Sequence, residues 1–138
     1  MMQAYISISF SKRNLLSAEL EAITGALSQL HIDSFIFVDN YTFAPTQEQE
    51  MMRQAFADIE KSDFLIAETS DKGIGIGIEV GYAKAKGKPV IYLRHITAEH
   101  STTVSGASDY QIIYNDKNSL NQQLTSILNI IIQKINQG

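Results

Sequence analysis

The chain has 138 residues, 44% of them apolar and 19% charged, with a net charge of −4 and no cysteine. That length can bury a core without covalent staples, and the lack of thiols excludes disulfides and thiolate metal sites. The acidic balance excludes a nucleic-acid polymer as partner, which needs a basic stripe, but leaves room for a small anionic ligand held by local groups.

In chain order, "QAYISIS" (3–9) alternates β-branched or aromatic residues with small ones and reads as a first strand. Residues 15–30 place Leu16, Leu20, Ile23 and Leu27 at helical spacing. "SFIFVD" (34–39) is a second strand, followed by the loop "NYTFAPTQ". From Gln47 to Lys61 the pattern is helical again, with Met51, Met52, Phe56 and Ile59 apolar. "DFLIAE" (63–68) is short and nearly all apolar, as a central parallel strand covered on both faces should be. A helix near 75–86 follows the glycines and is ended by Gly87 and Pro89. "KPVIYLR" is the fourth strand, "HITAEHSTTVSGASD" a polar loop, and "YQIIYN" the fifth strand. The last helix, about 117–136, carries Leu120, Leu124, Ile127, Leu128, Ile131 and Ile135. The start has no basic region before its apolar run, and no apolar stretch reaches membrane-spanning length, so the expectation is a cytoplasmic protein without a membrane partner. His31, His95 and His100 lack the spacing of a zinc-binding helix, and no metal site is expected.

Alternating strands and helices predict one α/β domain over 1–138, a doubly wound parallel sheet with right-handed crossovers. Five strands in so short a chain point to a flavodoxin-like, Rossmann-like sheet of order 2-1-3-4-5. In such a sheet strands 1 and 3 flank the switch point, and ligands bind beyond their carboxyl ends. Those ends are "SISFSKR" (7–13) and "AETSDKGIGIGIE" (67–79), which brings two distant segments into one crevice.

Within the second segment Gly73, Gly75 and Gly77 occupy alternate positions, and Glu79 follows. Glycines at a strand-to-helix junction let a ligand approach backbone N–H groups, or simply permit a tight turn. A dinucleotide fingerprint fits poorly, because Val80 stands where the third glycine belongs and Glu79 would repel a pyrophosphate. A carboxylate kept ionised by the first helical turn can instead attack an electrophilic carbon or stabilise an oxocarbenium-like centre. Tyr82, three residues on, is expected on the same face, to orient Glu79 or to stack on a ring.

The run "GIGIGIEVGYAKAKGKPVI", preceded by "SDFLIAETS", resembles the signature of the nucleoside 2-deoxyribosyltransferase family, which includes 2′-deoxynucleoside 5′-monophosphate N-glycosidases. Asp63, Gly75, Gly77, Glu79, Gly81, Tyr82, Ala83 and Gly87-Lys88-Pro89 carry the match, which is specific over 63–89 and loose elsewhere. The resemblance implies that Glu79 is the nucleophile that attacks the anomeric carbon and expels the base, and that water or a second base resolves the glycosyl-enzyme. It implies roles for Tyr5 of the first strand, for Ser9 as a phosphate contact, and for Ser101 as a residue reaching a neighbouring subunit's phosphate site. A homodimer or larger homo-oligomer is then the minimal assembly, and no metal or redox cofactor is needed.

The chain departs from the family pattern in two places. The family aspartate eight residues before Asp63 is Ala55 here, and Asp58, one turn later, is the candidate substitute. A loop serine of the monophosphate branch is Gly73, and Asp71 nearby would repel a phosphate. Lys12 and Arg13 are candidate phosphate partners, Phe10 a candidate sugar neighbour, and Asp39, Asn40 and Tyr41 candidate base contacts by position. Met51, Met52 and Phe56 form an apolar stripe for the core or for a subunit interface. The expected function is cleavage or transfer of the N-glycosidic bond of a nucleoside or nucleoside 5′-monophosphate. The alternative is a non-catalytic nucleotide-binding module of the same fold.

Overall fold

A computed structural model describes all residues from Met1 to Gly138. The apolar runs form five parallel strands, β1 (Gln3–Ile8), β2 (Asp33–Ile36), β3 (Phe64–Glu68), β4 (Val90–His95) and β5 (Tyr110–Tyr114). They lie in the order β2-β1-β3-β4-β5, as expected. The helices are α1 (Ser17–Gln29), α2 (Phe37–Asn40), α3 (Glu48–Lys61), α4 (Ile74–Ala85), α5 (Thr102–Gly106) and α6 (Lys117–Gln137). A 3-10 helix over Phe10–Leu16 joins β1 to α1. No helix is long and apolar enough to cross a membrane.

The period-2 alternation of each strand sorts its side chains onto two faces. Ala4, Ile6 and Ile8 of β1, with Ile66, Leu93 and Ile112, pack under α1 and α6, whose Leu20, Ile23, Leu27, Leu124 and Leu128 close that core. Tyr5, Leu65, Ala67 and Val90 face the other way and meet Ile59 of α3 and Ile76, Val80 and Ala83 of α4. Burying each large aliphatic side chain contributes about 1.5–3 kcal/mol. Asp63, matched to the family's strand-opening aspartate, pins the start of the sheet: its Oδ2 accepts the Gln3 N–H at 2.9 Å.

Three segments differ from expectation. The second strand stops at Ile36, because Phe37–Asn40 curls into a single helical turn whose Asn40 amide donates to the Ile36 carbonyl at 2.7 Å. The polar loop after β4 contains α5, capped by the Ser101 hydroxyl, which accepts the Val104 N–H. The third difference bears on the site. α4 starts at Ile74, so Gly75 and Gly77 lie inside the helix and only Gly73 stands at its N-cap. No acidic residue occupies the first turn, and Glu79 is placed in the second. The dipole acts mainly over the first turn, so it is not what sets the charge of Glu79.

Candidate active site

The carboxyl end of β1 opens between β2 and β3, at the switch point of the sheet. A cavity of about 390 Å³ lies there, with Ile8, Ser9, Phe10 and Ser11 on one side and Phe37, Val38 and Tyr41 from the segment after β2. Met51, Met52 and Ala55 contribute a wall from α3, and Gly73, Gly75, Ile76 and Glu79 one from α4. Glu79 is the sole carboxylate on this surface, which carries no lysine, arginine or histidine.

Glu79 is half-buried, and both of its oxygens are held from β1. The Ser7 hydroxyl donates to Oε1 at 2.6 Å, and the Tyr5 hydroxyl donates to Oε2. Tyr5 and Ser7 share one strand face, two residues apart, with Ser9 next in that row at the cavity edge. Ser7 was missed by the sequence reading, although the period-2 pattern starting from Tyr5 points to it. Burial pushes the Glu79 carboxyl above its ordinary range, and the bonds from Ser7 and Tyr5 pull it partly back. The Tyr5 phenol is raised by its burial and by the neighbouring Glu79 charge, which keeps it neutral and donating.

Ser9, Phe10, Gly73, Gly75 and Glu79 are thus brought together as expected. Tyr5 is fully buried and does not line the cavity, so it positions Glu79 rather than meeting a ligand. Asp58 is also buried, not solvated. It accepts from the Tyr41 hydroxyl at 2.9 Å and from the Gln54 amide at 3.1 Å, one layer behind the cavity.

Besides Tyr5 and Asp58, four expected residues fall outside the cavity. The Arg13 guanidinium is forked onto Asp39, with two contacts of 2.8 Å, and is spent on that pair rather than free for a phosphate. The Tyr82 hydroxyl donates to Glu60 at 2.8 Å while its ring stacks on Phe56, so it does not orient Glu79. Gly77 and Ser101 line a separate cavity of about 290 Å³ on the far side of the α4 N-terminus, where Asp71 also lies. Of the residues placed by position alone, Tyr41 lines the site, whereas Asp39 binds Arg13 and Asn40 closes the α2 turn. Met51 and Met52 face the cavity rather than the core. Ser11, whose hydroxyl lies 3.2 Å from that of Ser9, extends the polar edge.

A second buried carboxyl, Glu68, ends β3 on the opposite face of the sheet. It accepts the Ser70 N–H at 2.6 Å and the Tyr114 hydroxyl at 2.7 Å, which anchors the turn leading to α4. It touches no cavity described above. Of Glu68 and Glu79, Glu79 alone meets an open surface.

The family model for nucleoside 2-deoxyribosyltransferases matches residues 9–126. The chain belongs to the nucleoside 2-deoxyribosyltransferase family. A Syntrophotalea carbinolica protein named "Putative 2'-deoxynucleoside 5'-phosphate N-hydrolase 1" is 44% identical over 41 residues. That match spans 30% of this chain and 29% of the relative, so it covers less than a third of the relative's length. Among solved structures, the CMP N-glycosidase of Clostridium botulinum superposes with a TM-score of 0.64 at 22% identity, covering 88% of this chain and 96% of that one. The 2-deoxyribosyltransferase of Bacillus psychrosaccharolyticus gives 0.66 at 16% identity, covering 86% and 90%. At these identities the superpositions establish the fold.

Proposed function

We propose that the protein cleaves or transfers the N-glycosidic bond of a nucleoside or nucleoside 5′-monophosphate, with Glu79 as nucleophile. The observation that carries this reading is a carboxylate on the wall of the switch-point cavity, with both oxygens fixed by Tyr5 and Ser7. A carboxylate so held attacks the anomeric carbon from a defined direction while the base departs, and water or a second base then releases the sugar. Ser9 and Ser11 offer hydroxyls to the sugar or to a 5′-phosphate, and Phe37, Tyr41, Met51 and Met52 give the base an apolar slot.

The test is base release from ribo- and deoxynucleosides and their 5′-monophosphates, followed by chromatography with and without a second free base. Release that requires Glu79 supports the enzyme. Ligand binding without any release supports the non-catalytic module. Tyr5→Phe is expected to lower kcat about tenfold, the usual scale for losing a hydrogen bond to a charged group. Because the Tyr5 bond lowers the Glu79 pKa, the acid limb of the pH–rate profile should also move to higher pH. An unmoved limb would remove Tyr5 from the site.

We further propose a homodimer formed through α4. Its outward face carries Ile74, 87% exposed, and Ile78, 46% exposed, beside the bare Gly77 and Gly81. Nothing lies within 4 Å of a Cβ built on either glycine, so a second helix can approach closely. The Ser101 cavity borders the same helix end, where Ile74 and Gly77 also line it, so a partner docked on this face would lie beside Ser101. Sedimentation should give a dimer at micromolar concentration and a monomer for Ile74→Glu. A wild-type monomer would defeat the shared-site idea.

A further inference from the structure

The α3 wall of the cavity has no proton donor. Ala55, 1% exposed, stands where the family pattern has a carboxyl, and Met51 and Met52 flank it. Asp58 lies behind that wall and accepts the hydrogen bond of the Tyr41 hydroxyl, so the one phenol lining the cavity is already donating inward. Glu79 is engaged by two hydroxyls and has its own part as nucleophile. A neutral base leaving from this cavity would carry away the bonding electron pair with no positioned acid to neutralise it.

A base that is already cationic needs no acid. The lining has one carboxylate, no cationic side chain, the rings of Phe37 and Tyr41, and two thioethers. Aromatic rings and carboxylates attract a positively charged ring, whereas a cationic wall would repel it.

We infer that this site is specialised for N-glycosides whose heteroaromatic base bears a positive charge, of the N7-alkylated purine or pyridinium class, with Ala55 as the residue that sets this preference. The inference rests on the glycosidase reading given above. A Glu79 oxygen bonds to C1′ as the C1′–N bond breaks. The electron pair passes to the ring nitrogen, cancels its positive charge, and the base departs neutral. Water then bonds to C1′, the C1′–O bond to Glu79 breaks with its pair returning to the carboxylate, and the water proton goes to solvent.

The deciding experiment compares 7-methylguanosine with guanosine, and the corresponding 5′-monophosphates, at slightly acidic pH. The proteins are the wild type, Ala55→Asp, Ala55→Asn and Glu79→Gln. A positioned acid contributes about 10²–10⁴-fold, so the wild type should prefer the methylated substrate by about 10²-fold or more in kcat/KM. Ala55→Asp should narrow that ratio by accelerating guanosine cleavage, and the isosteric Ala55→Asn should not. A wild-type ratio near unity, or a ratio that Ala55→Asp leaves unchanged, overturns the inference. If Ala55→Asp does not fold, the wild-type ratio decides alone. Cleavage of guanosine at least as fast as of its methylated form, yet abolished in Glu79→Gln, would strike this inference and spare the glycosidase. No release from any substrate, or release that survives in Glu79→Gln, would strike the glycosidase reading itself.

Discussion

Glu79→Gln is expected to lower base release by about 10³-fold or more while the protein remains folded and keeps its ligand affinity. The amide has the shape of the carboxyl and can still meet the Ser7 and Tyr5 hydroxyls, but it cannot form the ester to C1′. The same substitution should stabilise the protein at neutral pH. Burial raises the Glu79 pKa above its ordinary 4.5. A carboxyl with a higher pKa folded than unfolded favours the fold while protonated. That contribution is complete below the unfolded value and is lost as pH rises through the folded one. Glutamine mimics the protonated state at every pH, so the variant should melt above the wild type at neutral pH and converge with it in acid. Activity follows the opposite sign, because attack needs the ionised form, and the acid limb of kcat/KM should lie above pH 4.5. Thermal melts across pH and a pH–rate profile check both. A variant that melts lower at neutral pH would show that the hydroxyl contacts outweigh the burial of charge.

The sheet was legible because each strand is an apolar run bounded by turn residues, and alternation with helices leaves few topologies. Short, locally closed pieces were not. The α2 turn depends on an Asn40 side chain reaching back to Ile36, and α5 on a Ser101 cap. Neither contact follows from hydrophobic periodicity. Glu79 was legible from its place after the glycines, but its environment was not, since that comes from Tyr5 and Ser7, more than 70 residues away. Arg13 looked free because nothing in its local spacing announces Asp39, 26 residues on in α2. The stripe of Met51 and Met52 was visible as apolar. Which surface it covers is set by tertiary placement, and here it is the ligand cavity.

The charge balance of the site connects these points. With Arg13 neutralised by Asp39 and Lys12 exposed on the 3-10 helix, no cation stands on the cavity surface to offset Glu79. A 5′-phosphate bound there would rely on hydroxyls and backbone N–H groups, or on a second subunit. This places the dimer test and the phosphate requirement on one axis. If Ser101 of a partner completes the site, Ile74→Glu should cost 5′-monophosphates more activity than it costs nucleosides.

Gly75→Ala is expected to stabilise the fold and damage the enzyme. Glycine within a helix costs roughly 0.5–1 kcal/mol relative to alanine, and Gly75 is the second residue of α4. Its backbone is helical, without the positive φ that Gly87 shows at 73°, so conformation does not demand glycine. Packing does not demand it either, since nothing lies within 4 Å of a Cβ built there. That empty space is the cavity itself, one helical turn before Glu79 on the same face. A methyl group there should displace the sugar from the carboxylate, and a misplacement on the order of 1 Å costs about 10²-fold in rate. The melting temperature should therefore rise as kcat/KM falls, with the Glu79 acid limb unmoved. Gly25→Ala, within α1, outside the Glu79 cavity and equally free of close neighbours, is the control for helix propensity and should gain stability without a direct cost to the site. Full activity in Gly75→Ala would mean that the glycine serves neither fold nor ligand, and the substrate would have to lie away from the α4 wall.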